Sequence, residues 1–201
     1  AAITTANLPI SLPLAKPIEI KDLRISAEVK GQEVKLSALS FQLFEGQVKG
    51  QGKLVAGSDA PPFNGTVAIQ GVQLGPAVAD TKVSVSGTAG ADLALQGRGF
   101  SMPDLTKALE GTGHVAVKDG KIEGVNLLQE AISILKVAGI ALDNPKVTAF
   151  STIETDLAIK QGIVNVQRLL MDSHDFQATG GGTIGFDQTL NLTVKLNLSQ
   201  D

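Results

Sequence analysis

Apolar and polar residues alternate along most of this chain. The cleanest stretch is Leu190, Leu192, Val194, Leu196 and Leu198, interleaved with Asn191, Thr193, Lys195 and Asn197. A period of two is the strand period. Val83, Val85, Gly87, Ala89, Ala91, Leu93 and Leu95 hold one parity against Ser84, Ser86, Thr88, Asp92 and Gln96. Ile153, Leu157 and Ile159 alternate with Glu154, Asp156 and Lys160. One aliphatic and one wet face per strand predicts antiparallel sheet rather than buried parallel strands.

The parity breaks three times in the same way. Ile18 and Ile20 are followed by Leu23 and Ile25, Val34 and Leu36 by Leu39 and Phe41, and Val164 and Val166 by Leu169 and Met171. Each break needs a bulge or bend to keep the later apolar residues off the water, and a bulge adds twist. The sheet is therefore expected to curl. Residues 34–54 also align without gaps on residues 164–184, 130 positions on, with identities at Val34/Val164, Leu39/Leu169, Gln47/Gln177, Gly50/Gly180 and Gly52/Gly182. That spacing predicts an internal β repeat.

Helix signals are few. Ser101-Met102-Pro103-Asp104 reads as a capped start leading into Leu105–Leu109. Asn126 caps a second candidate, in which Leu128, Ala131, Ile132, Leu135 and Ala138 form a stripe that Gly139 ends. Asp59-Ala60-Pro61-Pro62 and Asp143-Asn144-Pro145 read as loops. The expected architecture is mainly β: about ten to twelve strands in a curved, mostly antiparallel sheet with two short helices. Two helices cannot cover so many strands, so the sheet either closes on itself, sandwich- or barrel-like, or leaves an open apolar groove. No linker divides residues 1–201, which are read as one unit.

Composition narrows the function. Charged residues are 18% and aromatics 3% of 201 residues, with no Cys, Trp or Tyr and a net charge of −3. A cysteine-free chain makes no thiolate metal site and uses no Cys nucleophile. Mild acidity without Trp or Tyr platforms argues against nucleic acid as a partner. No apolar run approaches the roughly 20 residues of a spanning helix. The start at Ala1-Ala2-Ile3, without Met, is read as a piece of a longer protein.

The polar residues do not assemble into a catalytic pattern. Asp172 and His174 supply two ligands on one strand face where a catalytic metal wants three, and a solvated strand end explains them better. His114 lies on the polar parity and is expected to be exposed. Glu154 and Asp156 alternate with apolar residues as outer-face charges do. Gly180-Gly181-Gly182 lacks the Lys and helix of a phosphate loop. The chain is expected not to be an enzyme, and no cofactor is expected.

Glycine inside a strand costs stability and marks a bulge, a bend or a close approach. Val48, Gly50, Gly52 and Leu54 share one parity, and the repeat gives Ala178, Gly180, Gly182 and Ile184. Two causes fit: another sheet crossing the strand, or a wall kept low for a bound apolar chain.

Leu109-Glu110-Gly111-Thr112-Gly113 and, further on, Gly120-Lys121-Ile122-Glu123-Gly124-Val125-Asn126-Leu127 resemble the L-x-G-x-G…G-x-I-x-G-v-n-L segment of the AsmA family. The stretch from Asp175-Phe176 through Gly180-Gly181-Gly182 to the Leu190–Leu198 strand is similar to that family's C-terminal pattern. The resemblance spans roughly residues 20 to 199. It implies a Gram-negative envelope protein held in the inner membrane by a segment outside this chain. It also implies a periplasmic β-groove, related to bridge-like lipid-transfer proteins, that carries acyl chains. The expected partner is phospholipid, with a role in lipid transport and outer-membrane biogenesis, and contact with outer-membrane assembly factors is an added expectation. The lipid-facing residues are expected to be Val48, Gly50, Gly52, Leu54, Ala178, Gly180, Gly182, Ile184, Leu190, Leu192, Val194 and Leu196. Lys49, Lys53 and Lys195 are rim candidates for headgroups, although solvation on the polar parity explains each better. The alternative is an assembly factor for outer-membrane proteins that works through sheet-edge contacts.

Overall fold

In the computed structural model, residues 2–5, 8–10, 18–77, 84–123, 147–187 and 189–198 are described. They form twelve strands. These are β1 (Ala2–Thr5), β2 (Leu8–Ile10), β3 (Ile18–Lys30), β4 (Glu33–Leu43), β5 (Gly46–Val55), β6 (Pro62–Gln73), β7 (Ser84–Arg98), β8 (Glu110–Glu123), β9 (Val147–Lys160), β10 (Ile163–Asp172), β11 (Phe176–Gly185) and β12 (Leu190–Leu198). From β3 to β12 the sheet is an antiparallel meander in chain order, and β1 and β2 both pair with β3. Among the described residues no pairing joins β12 back to the other end. The substantial contacts join sheet neighbours, or a helix to β7. Among the described residues the sheet is therefore open and forms neither barrel nor sandwich.

Helix α1 (Leu74–Ala77) is a single turn with no counterpart in the sequence reading. Helix α2 (Met102–Ala108) begins at the expected cap, with the Ser101 hydroxyl accepting from the Asp104 N–H at 3.2 Å and Pro103 in the first turn. The second expected helix, from Asn126 to Gly139, lies outside the described residues, as does the Asp143-Asn144-Pro145 loop.

All three parity breaks are register shifts. They fall between Lys21 and Arg24 on β3, Leu36 and Leu39 on β4, and Val166 and Leu169 on β10. Asp22 takes up the first with φ +52. Two further shifts were missed, at Ile69/Val72 on β6 and opposite Ser86/Thr88, where Asp119 on β8 has φ +50. Their signal was present, since Ile69 to Val72 and Val117 to Ile122 also change parity.

From Arg24 in β3 and Glu154 in β9 onward, strands β3–β5 and β9–β11 share one register; before that, Lys21 faces Gln42 whereas Thr152, not Ser151, faces Asp172. Ile25 faces Leu39, Ala27 faces Leu36 and Val29 faces Val34. Positions 130 on, Thr155 faces Leu169, Leu157 faces Val166 and Ile159 faces Val164. Leu36–Gly52, Leu39–Gly50 and Phe41–Val48 match Val166–Gly182, Leu169–Gly180 and Met171–Ala178. The correspondence continues into β6 and β12, which oppose equivalent residues through Phe63-Asn64-Gly65-Thr66-Val67-Ala68-Ile69 and Leu190-Asn191-Leu192-Thr193-Val194-Lys195-Leu196.

The core is thin and lies on one face. Phe150, Met171, Phe176 and Ala178 form one buried cluster, with Val117, Ile122, Ile153 and Leu196 against it. Ile20 and Leu23 form the other, with Ile25, Leu39, Phe41, Leu43 and Phe44.

Candidate functional site: an uncovered apolar face

Strand alternation, with bulges that restore its parity, lines up the apolar side chains in rows across the sheet. One row is Ile25, Leu39, Gly50, Val67, Leu93, Gly113, Leu157, Val166, Gly182 and Leu192, each the Cα partner of the next. Beside it run Ala27, Leu36, Gly52, Gly65, Leu95, Gly111, Ile159, Val164, Ile184 and Leu190. A third row runs from Phe41 through Val48, Ile69, Ala91, Val115, Thr155, Leu169 and Gly180 to Val194. Thr155 is the one polar side chain in the three rows. Its Oγ1 is shielded from water and has no hydrogen-bond partner.

All twelve expected lipid-facing residues fall on this face, but they do not form one patch. Val48, Gly50, Gly52 and Leu54 sit on β5, the other eight on β11 and β12. The ground between them belongs to residues the sequence reading did not nominate, such as Val67, Leu93, Val115 and Leu157. Alternation alone pointed to several of them.

Three of the four glycines, Gly52, Gly180 and Gly182, have a cause within the sheet itself. Added to Gly52, Gly180 or Gly182, a Cβ would collide with the carbonyl oxygen of Asn64, Thr193 or Asn191 on the adjoining strand. On Gly65 and Gly111 it would sit 2.5 Å from the carbonyl oxygens of Gln51 and Ala94. What approaches closely is the next strand of the same sheet. A low wall on the apolar face is the by-product.

The opposite face is wet and holds the charges. His114 Nδ1 lies 2.8 Å from Asp156 Oδ1, and Arg168 Nε donates to Asp156 Oδ2 at 3.0 Å. The hydrogen bond to His114, followed by the Arg168 and His114 charges, holds the Asp156 carboxyl below its ordinary range; desolvation, weaker than the His114 bond but stronger than the Arg168 charge, opposes this. His114 is therefore half-buried and paired rather than freely exposed. Asp172 accepts from Gln177 Nε2 at 2.7 Å and Thr152 Oγ1 at 3.2 Å, so neighbours occupy it, while His174 sits exposed in a bend. Lys49, Lys53 and Lys195 lie on this wet face, and Lys53 is 3.9 Å from Glu33. A trough of about 930 Å³ crosses β4 to β9 here, floored by short side chains such as Thr66, Ala94, Thr112 and Ala158. The apolar-face neighbours Leu54, Phe63, Val67 and Leu93 do not line it, which places its mouth on the wet side. Among the described residues, no group of three or more His, Asp or Glu is placed to hold a metal ion. No described helix is long and apolar enough to cross a membrane.

The described strands thus make a one-layer antiparallel meander whose apolar face no described element covers. The profile of the AsmA family matches residues 14–169, and the chain belongs to that family. Strands β11 and β12 lie beyond the matched segment. No curated protein and no solved structure gives a significant match.

Proposed function

We propose that the chain binds lipid acyl chains along its apolar face, as a non-enzymatic module of phospholipid transport and outer-membrane biogenesis. In this reading it works in the periplasm and is tethered to the inner membrane by a segment outside this sequence. Family membership fits an envelope, lipid-related role. The observation that carries the proposal is the set of unbroken apolar rows, which no described element covers. Ten strands at about 4.8 Å spacing make each row about 40 Å long. A bilayer's hydrocarbon core, about 30 Å thick, holds two acyl chains end to end, so one row accommodates a chain with length to spare. Each methylene removed from water contributes about 0.8 kcal/mol, and an acyl chain asks for no hydrogen-bond partners.

The test is solvent extraction of the purified protein followed by mass spectrometry, with a soluble protein of similar size from the same host as control. Stoichiometric phospholipid is expected, and Leu192→Asp or Val194→Asp is expected to lower it. Both residues lie on the edge strand, where a carboxylate can reach water, so folding survives; circular dichroism checks this. Unchanged lipid content in folded variants, or none in the folded wild type, refutes the reading. The open β12 edge supports the second reading, an assembly factor for outer-membrane proteins. That reading gains if the folded protein carries no lipid.

A further inference from the structure

The two lateral edges of the sheet differ. The β3 edge is taken by β1 and β2, of four and three residues, with Pro9 in β2 lacking a donor. The β12 edge is nine residues long and carries no Pro and no bulge. Three of its five apolar side chains are exposed, Leu190 at 67%, Val194 at 43% and Leu198 at 54%, while Leu192 and Leu196 are half-buried. The Gly185 N–H donates to the Thr189 carbonyl at 2.8 Å. Strand alternation then points the N–H and C=O groups of Asn191, Thr193, Lys195 and Asn197 at β11. Those of Leu190, Leu192, Val194, Leu196 and Leu198 are left facing the open side.

The sequence of this edge is close to a palindrome. Leu190-Asn191-Leu192-Thr193-Val194-Lys195-Leu196-Asn197-Leu198 reads the same in both directions except at Thr193 and Lys195. Antiparallel pairing of β12 with its own copy about Val194 sets Leu190 against Leu198, Leu192 against Leu196, Asn191 against Asn197 and Val194 against itself. Apolar side chains meet on one face and amides on the other. Lys195, the one charge on the strand, meets Thr193 rather than another lysine. The equivalent interior strand β6 is already paired on both sides, by β5 and β7.

We propose that β12 is a homodimer edge, pairing antiparallel with β12 of a second copy on a twofold axis at Val194, so that the apolar rows of two chains run on as one sheet. This does not depend on what the apolar face binds.

Thr193 is exposed on the wet face, opposite Gly181, so changing it tests the pairing without disturbing the fold. Sedimentation equilibrium of the chain is expected to show a reversible dimer. Thr193→Lys places lysine against lysine at two symmetric points and is expected to weaken the dimer about fivefold; Thr193→Glu makes two opposite-charge pairs and is expected to tighten it by a similar factor. A second readout uses the absence of cysteine. Directly opposed residues in a hydrogen-bonded pair lie about 5.5 Å apart at Cα, within disulfide reach. Val194→Cys is therefore expected to cross-link under mild oxidation, while Val29→Cys, 69% exposed and far from this edge, is not. A folded wild type that stays monomeric overturns the proposal. So does an equal response to lysine and glutamate at position 193, or a Val194→Cys protein that cross-links no better than Val29→Cys. A β12 that pairs only with an added outer-membrane-protein strand, and never with itself, also overturns it.

Discussion

Strands β3–β6 and β9–β12 are built on one plan, yet they do not hold together in the same way. Phe150, Met171, Phe176 and Ala178 occupy the places of Ile20, Phe41, Gly46 and Val48. In the later unit two rings close over Met171, leaving it 4% exposed. In the earlier unit the place of Phe176 is taken by Gly46, where a Cβ would meet the Val72 backbone, and Phe41 stays half-buried. The outer strand differs in the other direction. Val67 on β6 is half-buried between β5 and β7, while its counterpart Val194, on a strand with one neighbour among the described residues, is 43% exposed. Register and bulges follow the shared local pattern. Burial follows the size of a few side chains and the number of neighbouring strands.

The largest effect expected from this contrast is at Met171. Met171→Ala empties a closed cluster and is expected to cost about 3 kcal/mol. Phe41→Ala, removing a half-exposed ring, is expected to cost about 1.5 kcal/mol despite its larger side chain. Urea titration of both variants measures this, and equal losses would mean the two clusters are packed alike.

The next effect sharpens the contrast between interior and edge. Gly52→Ala drives a methyl group into the Asn64 carbonyl of β6, which β7 holds in place, and is expected to cost about 2 kcal/mol. Gly180→Ala makes the same collision with the Thr193 carbonyl of β12. A strand paired on one side can shift, so the expected cost is below about 1 kcal/mol. Equal costs in the dilute monomer would show that the edge is as firmly held as the interior.

The smallest effect concerns Asp156, where the later unit carries an ion-paired network and the earlier has Ser26. Since the folded carboxyl is held below its ordinary value of 3.8, the charged form adds stability above that pH. The contribution disappears as pH falls through the lowered value. Asp156→Asn is expected to lower the melting temperature slightly at pH 7 and to match wild type once the pH is well below the lowered value. A difference that persists in acid would assign the effect to packing instead.

Much of the fold was legible because strand alternation and bulges are local. Leu36 to Leu39 and Val166 to Leu169 must change parity or face water, so the sequence reading found those bends. The bends after Ile69 and Val117 obey the same rule, with the same local parity change as their signal. The candidate site was legible only in part. Alternation placed Gly50, Gly182 and Leu192 on the apolar side, but it could not join β5 to β11, because the row between them depends on the pairing register of five further strands.

By itself, then, the amino-acid sequence determined which residues share a face, where the strands bend and that helices cover little of the sheet, since each depends on a period of two or on a local cap. Only the tertiary structure decided that the sheet of described residues is open, that Gly52, Gly180 and Gly182 yield to the adjoining strand, and that His114 meets Asp156. Those outcomes depend on contacts between residues tens of positions apart, whose register is the sum of every turn and bulge between them.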